Sequence, residues 1–229
     1  MHEKQIASVP TRLHLFTTKY LGPVVERLAS RGFNPDWLSW SGLALAVAAG
    51  GFLAFGIFLP ALILGLLSSL TDMADGLLAR MLDEKNRRSE LQIKRGQMVD
   101  PFVDRHADAA LWLGILIYVL PAFIQLSELN WLHWIALFMV ILSYPFNLAS
   151  SWIRAKVEGV GLTLGEKKPL TRTVFLILLG GSCIIALLIT EPILDMPILF
   201  WCVAVIGLVQ GITWLQRFIR APRASLPQE

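Results

Sequence analysis

Six long apolar segments restrict this chain more than any other feature of its sequence. The chain has 229 residues, is 55% hydrophobic and has a mean hydropathy of +0.60, far above the values of soluble domains. Each segment is close to the ~20 residues that a helix needs to cross ~30 Å of hydrocarbon. The sequence therefore predicts an all-α membrane protein with six transmembrane helices, at Trp37–Leu59, Pro60–Met81, Met98–Leu120, Asn130–Trp152, Thr173–Ile189 and Ile193–Leu215.

Basic residues lie on alternate connections between these segments. Lys and Arg cluster before the first segment, between the second and third, between the fourth and fifth, and after the sixth, and the other connections contain none. The positive-inside rule therefore predicts that both termini and the Arg80–Arg95 connection are cytoplasmic. The expected location is the inner or plasma membrane of a prokaryote. The first two segments adjoin each other, so we expect a tight helical hairpin near Phe58–Pro60.

The residues before the first segment form a separate part of the chain. Between residues 8 and 32, apolar side chains recur every three or four positions while charged side chains take other faces, as in an amphipathic helix. We interpret it as a helix on the membrane surface, with a solvated terminal helix as the alternative. The expected domains are a cytoplasmic segment with this interfacial helix (1–36), a six-helix transmembrane catalytic domain (37–216) and a cytoplasmic tail (217–229).

Two stripes of carboxylates lie at the cytoplasmic ends of the second and third segments. Asp72 and Asp75, and then Asp100 and Asp104, are spaced by three or four residues, which places each pair on one face of a helix. A carboxylate inside a membrane costs ~2.5–3.5 kcal/mol on insertion scales, so these residues need compensation. Because the two segments are antiparallel and adjacent, the stripes can face each other. Asp108 continues the second stripe, and we interpret it as a helix-end residue in headgroup water.

The four facing carboxylates predict a site for two divalent cations. Two such ions balance the charge of four carboxylates, and oxygen-only ligands suit Mg²⁺ or Mn²⁺ rather than zinc. A pair of metal ions can stabilise both the attacking and the leaving oxygen in a phosphoryl-type displacement. On the same helical face, Gly76 and Ala79 leave room for a bulky ligand, and Arg80 offers a planar donor group for phosphate.

These residues together resemble a known family signature. The pattern Asp72-x-x-Asp75-Gly76-x-x-Ala79-Arg80, followed by Gly96-x-x-x-Asp100-x-x-x-Asp104, is similar to that of the CDP-alcohol phosphatidyltransferases. The resemblance extends to a juxtamembrane helix, an Asn-Pro-Asp sequence before the first segment, and six spans. One feature differs, because the charged connection Met81–Arg95 is longer than the family usually has.

The resemblance implies an activity and a role for each signature residue. Such enzymes transfer a phosphoalcohol group from a CDP-linked donor, often CDP-diacylglycerol, to an acceptor hydroxyl and release CMP. Asp104 would be the general base on that hydroxyl. The two cations, Mg²⁺ or Mn²⁺, would be held by Asp72, Asp75, Asp100 and Asp104. The nucleotide would lie against Asp72, Asp75, Gly76, Ala79, Arg80 and Gly96.

The acceptor is predicted from the connection between the fourth and fifth segments. The stretch from Ser151 to Gly159 is similar to the basic stretch of family members whose acceptor is a phosphorylated polyol, such as inositol phosphate or glycerol phosphate. Candidate acceptor-binding residues are Arg154, Lys156 and Arg172, with Arg154 the first choice for the acceptor phosphate. Ordinary positive-inside charge explains Arg154 equally well, so an unphosphorylated acceptor such as inositol or serine is the alternative.

Other classes of protein also place aspartates in membranes. An ion-coupled or metal transporter is the main alternative, although its site is expected near the bilayer midplane and between matched halves of the chain. A non-catalytic subunit is a further alternative, but no signature position is missing. The tryptophans lie mostly near the ends of the spans, as an interfacial belt does, so no nucleic-acid partner is expected.

Smaller features carry three further expectations. The family resemblance implies a homodimer, and small residues such as Gly50 and Gly51 in the first segment allow close helix approach, although packing within one chain explains them equally well. Cys183 and Cys202 lie in apolar runs and are expected to be packed thiols. His106 lies two positions from Asp104 and points away from its face, so we expect a packing or interhelical role.

Overall fold

The computed structural model describes residues 9–85, 87–164 and 172–226, with the side chains of residues 9–19, 172 and 173 excepted. Over these residues the chain is helical, which confirms the predicted all-α class. The helices are α1 (Val9–Ser30), α2 (Pro35–Ala54), α3 (Phe58–Glu84), α4 (Glu90–Ile124), α5 (Trp131–Gly159), α6 (Arg172–Leu188) and α7 (Ile198–Arg220), followed by a 3-10 turn at Ala221–Arg223.

Five of these helices, α2 to α5 and α7, are long and apolar enough to cross a membrane. The sixth predicted span corresponds to the shorter α6, whose apolar part is Val174–Leu188. The predicted membrane protein built from apolar helices is therefore confirmed.

Several helix boundaries differ from those expected. The turn between the first two spans is at Phe55–Ile57, with Gly56 in the left-handed region at φ +69°, and not at Phe58–Pro60. The predicted connection Arg80–Arg95 is mostly helical, because α3 continues to Glu84 and α4 begins at Glu90. Charged residues that favour helix therefore extend both helices beyond their apolar parts.

The chain packs as two compact units. Of the described residues, the first contains those up to Val47 together with those between Leu64 and Ala107, and the second those of Ala48–Ile63 together with those from Asp108 onward. The helices α2, α3 and α4 each contribute residues to both.

In the first unit, α1 packs on the end of α3. Val25 and Ala29 of α1 are fully buried in a cluster with Leu77, Leu78 and Leu82 of α3. Burial of side chains such as Val or Leu contributes about 1.5–3 kcal/mol each. The predicted amphipathic helix therefore uses part of its apolar face to contact α3. The helix ends at Ser30, and Gly32 in the turn that follows has a φ of +69°, which suits glycine.

In the second unit, some helices approach each other closely at glycine residues. A Cβ atom at Gly50 of α2 would meet the backbone carbonyl of Ala110 in α4, and one at Gly207 of α7 would meet that of Met139 in α5. Glycine is required where two backbones approach this closely. The second unit also holds Cys183 and Cys202 as free thiols, as expected.

Asp108 lies in the interior of the second unit. Its side chain is fully buried, and Asn147 Nδ2 donates a hydrogen bond to Asp108 Oδ2 over 3.2 Å. The interpretation of Asp108 as a helix-end residue in headgroup water is therefore wrong. A carboxylate at this depth needs such a partner, since burial without one is costly.

Candidate metal centre

Three of the four predicted ligands come together in the first unit. One carboxylate oxygen from each of Asp72, Asp100 and Asp104 lies within 4.8 Å of the others. Asp72 comes from α3, whereas Asp100 and Asp104 lie one turn apart on α4. The helical spacing therefore brings Asp100 and Asp104 together, and the packing of α3 against α4 adds Asp72.

The donor set of this cluster fits a hard divalent cation. All three groups are carboxylates, and oxygen ligands of this kind suit Mg²⁺ or Mn²⁺. Like charges held this close together disfavour one another, and a bound cation relieves that repulsion. Asp100 is exposed while Asp72 and Asp104 are half-buried, so the cluster is accessible to an ion and to a substrate.

Asp75, the fourth predicted ligand, is not part of this group of three. It is buried, and Ser39 Oγ of α2 donates a hydrogen bond of 2.6 Å to Asp75 Oδ2. One carboxylate oxygen of Asp75 is thereby held in place by a residue of α2. Sequence reasoning missed Ser39, which lies three residues after Asp36, in the first turns of α2.

The predicted nucleotide-binding residues occupy two kinds of surroundings. Nothing lies within 4 Å of a Cβ atom placed on Gly76, so this face of α3 is open. Arg80 Nε donates to Gly76 O over 3.0 Å, which folds the side chain back along the helix, and Ala79 is half-buried beside it. Gly96 is different, because a Cβ atom there would lie 2.7 Å from Arg88 Nη2. Arg88 is a second residue that sequence reasoning missed.

Two of the predicted acceptor-binding residues, Arg154 and Lys156, contact neighbours on their own helix. Arg154 Nε forms an ion pair with Glu158 Oε1 one turn further along α5, at 2.7 Å. Lys156 Nζ lies 5.9 Å from the centroid of the Trp152 ring. Arg172 begins α6, but its side chain lies outside the described part of the chain. Their role as an acceptor site stays a prediction.

His106 is exposed and contacts its own helix. Its Nδ1 lies 2.8 Å from Phe102 O, and the imidazole stands 4.0 Å from the Phe102 ring. These contacts agree with the expected packing role and give no proton path to Asp104.

Comparison with known proteins identifies the family. Residues 33–211 match the model of the CDP-alcohol phosphatidyltransferase family. This match covers well over half of the chain and includes every signature residue from Asp72 to Asp104. The chain therefore belongs to the CDP-alcohol phosphatidyltransferases.

Individual relatives share less than a third of their residues with this chain. Phosphatidylinositol phosphate synthase of Cutibacterium acnes is 29% identical over 150 residues, which is 63% of this chain and 63% of that protein, so the match spans less than two thirds of its length. The fold is similar to that of phosphatidylinositol phosphate synthase of Mycobacterium tuberculosis with CDP-DAG bound, with a TM-score of 0.68, 21% identity and coverage of 88% of this chain and 93% of that one. The same enzyme in complex with manganese and citrate gives a TM-score of 0.68 at 21% identity, covering 88% of each chain.

Proposed function

We propose that this protein transfers a phosphatidyl group from a CDP-alcohol, CDP-diacylglycerol, to the hydroxyl of a phosphorylated polyol such as inositol phosphate or glycerol phosphate, and releases CMP. The observation that carries the proposal is the cluster of Asp72, Asp100 and Asp104 at the signature positions of the family. The names of the relatives support a CDP-lipid donor and an inositol phosphate acceptor.

The three clustered aspartates, with Asp75 held beside them by Ser39, would hold two divalent cations, Mg²⁺ or Mn²⁺. When bound, such ions supply charge neutralisation to a diphosphate and stabilise its leaving oxygen. The manganese complex of the M. tuberculosis enzyme supports this assignment. Among the described residues, no His or Cys joins the group of three, which agrees with a hard cation.

Asp104 is proposed as the general base. Its carboxylate takes the proton of the acceptor hydroxyl, and the freed oxygen attacks the phosphorus that carries the diacylglycerol. The new oxygen–phosphorus bond replaces the bond of the diphosphate bridge, whose electron pair leaves with CMP. The open face of α3 at Gly76 gives the nucleotide space, and Arg80 can turn from Gly76 O toward the diphosphate.

The membrane topology is proposed from charge alone. Both termini and the metal centre would face the cytoplasm, because basic residues cluster on that set of connections. A site near this surface suits a donor with lipid tails and a water-soluble nucleotide. Membership of the transferase family argues against the alternative of an ion-coupled or metal transporter.

The direct test measures CMP release by purified protein in lipid with CDP-diacylglycerol and Mg²⁺ or Mn²⁺. Inositol phosphate, glycerol phosphate, inositol and serine are offered separately, and the lipid product is identified by mass spectrometry. Release with a phosphorylated polyol supports the proposal, and release only with inositol or serine favours the unphosphorylated alternative. No CMP with any acceptor or metal would refute the enzymatic reading for these substrates.

Ser39→Ala is expected to weaken metal binding without unfolding the protein. The change removes the donor that holds Asp75 Oδ2. Loss of a partner that orients a metal-binding carboxylate typically costs about 10- to 100-fold in metal affinity. Titration with Mn²⁺ followed by electron paramagnetic resonance measures this affinity independently of turnover.

Two variants make the Ser39 result specific. Ser39→Thr keeps the hydroxyl and should bind Mn²⁺ with an affinity close to that of the wild type. Ser41→Ala is the matched control, because Ser41 Oγ donates to Leu38 O of its own helix. Equal Mn²⁺ affinity in Ser39→Ala and wild type would show that Asp75 is positioned without Ser39.

Arg154→Ala is expected to raise the KM for a phosphorylated acceptor about tenfold or more, since a hydrogen bond to a charged group contributes ~1.5–3 kcal/mol. The KM for CDP-diacylglycerol should stay the same. Glu158→Gln removes the ion-pair partner but keeps Arg154, so it should not raise either KM. An unchanged acceptor KM in Arg154→Ala would show that Arg154 does not bind the acceptor and serves only as one of the basic residues that set the membrane orientation.

A further inference from the structure

Arg88 comes from the charged connection between α3 and α4 and rests on Gly96. Its Nη2 lies 2.7 Å from the position that a Cβ atom of Gly96 would take. Arg88 Nη1 forms an ion pair with Asp83 Oδ2 at 3.3 Å, and Nη2 donates to Gln92 O over 3.1 Å. The side chain is only 9% exposed, so the guanidinium is held at this position.

The guanidinium contacts α4 one helical turn before the metal centre. Gly96 and Asp100 are four residues apart on α4, so they share a face and are separated by about 6 Å along the helix axis. Arg88 therefore places a positive charge about one helical turn from an aspartate of the three-carboxylate group. Its two described contacts use two of the five N–H groups that a guanidinium carries, so it can bind a further acceptor without losing either.

A cavity adjoins this guanidinium. Its volume is about 360 Å³, and Arg88 lines it with residues from the α1–α2 junction and the start of α4, among them Phe33, Asn34 and Gln92. Pockets for small ligands typically have volumes of ~300–1,000 Å³. The cavity thus combines two guanidinium side chains, those of Arg87 and Arg88, with the carboxylate of Asp36, polar amides and an aromatic ring.

We propose that Arg88 is a binding residue for the phosphates of the cytidine nucleotide, so that this residue of the charged connection is part of the donor site. The proposal rests on the function proposed above, which requires an anionic diphosphate to approach three carboxylates. A fixed guanidinium one helical turn from those carboxylates offsets their repulsion of the diphosphate. It also offers a planar donor group that matches phosphate oxygens. The long connection then contributes to substrate binding.

The experiment compares CDP, CMP and cytidine as ligands of the purified protein in lipid nanodiscs, in the presence of Mn²⁺, by isothermal titration calorimetry. Arg88→Gln removes the charge and keeps most of the side chain. We expect about tenfold weaker binding of CDP, a smaller loss for CMP and unchanged binding of cytidine, because only the phosphates interact with the guanidinium. Lys94→Gln is the matched control, since it removes one positive charge from an exposed pair with Glu90 and should leave all three affinities unchanged.

The outcomes separate the role of Arg88 from the proposed function. Equal losses for CDP, CMP and cytidine would mark Arg88 as a structural anchor, and no loss would make it a bystander; either result overturns the inference. Should Arg88→Gln fail to fold, Arg88→Lys takes its place, with an expected loss for CDP of about threefold and the same order of ligands. A wild-type protein that binds none of the three ligands would overturn the proposed function together with this inference.

Discussion

Asp104→Asn is expected to abolish CMP release while the protein stays folded. The substitution keeps the size of the side chain but removes both a negative charge from the cluster and the group that accepts the hydroxyl proton. General base catalysis typically contributes about 10²–10⁴-fold to a rate, and the weakened metal site adds to that loss. The measurement is CMP release from CDP-diacylglycerol at saturating metal and acceptor.

Asp108→Asn provides the matched control on the same face of α4. It is one turn further along the helix, is fully buried and lies outside the three-carboxylate group. An asparagine there can still accept from Asn147 through its amide oxygen. We expect Asp108→Asn to retain turnover and Asp104→Asn to lose it, with similar thermal unfolding for both. Near-normal turnover by Asp104→Asn would remove it as the base.

Hydropathy predicted the number and order of the helices well because lipid imposes a length on each span. It predicted their ends poorly, since charged residues beyond the apolar parts continue α3 to Glu84 and begin α4 at Glu90. One local signal for the start of α4 was available. Ser89 and Gln92 form a reciprocal cap, with Ser89 N donating to Gln92 Oε1 and Gln92 N donating to Ser89 Oγ.

For the metal centre too, the sequence predicted what depends on one helix and missed what depends on the packing of several. The four-residue spacing of Asp100 and Asp104 was enough to place them on one face, because it depends on a single helix. The partner of Asp75 depends on where α2 packs against α3, and no pattern around Ser39 encodes that contact. The sequence likewise shows that Gly96 leaves space beside α4, but it does not show that the Arg88 guanidinium occupies that space.

Gly50→Ala is expected to destabilise the protein strongly, and Gly51→Ala to leave it nearly unchanged. A Cβ atom at Gly50 would overlap the carbonyl of Ala110, and one at Gly114 would in turn overlap that of Gly50, so α2 and α4 would have to separate. Overpacking of this kind costs about 1–3 kcal/mol. Nothing lies within 4 Å of the corresponding position at Gly51, where alanine favours the helix by up to ~1 kcal/mol.

The measurement is thermal unfolding of both variants in the same nanodiscs, with an expected decrease of ~5 °C or more for Gly50→Ala. The pair also tests what the small residues of α2 are for. Gly50 is buried within the chain and Gly51 is exposed, so packing inside one chain makes Gly50 the sensitive position. If α2 also formed the seam between two copies in the predicted homodimer, Gly51→Ala would lower stability as well, together with loss of the dimer.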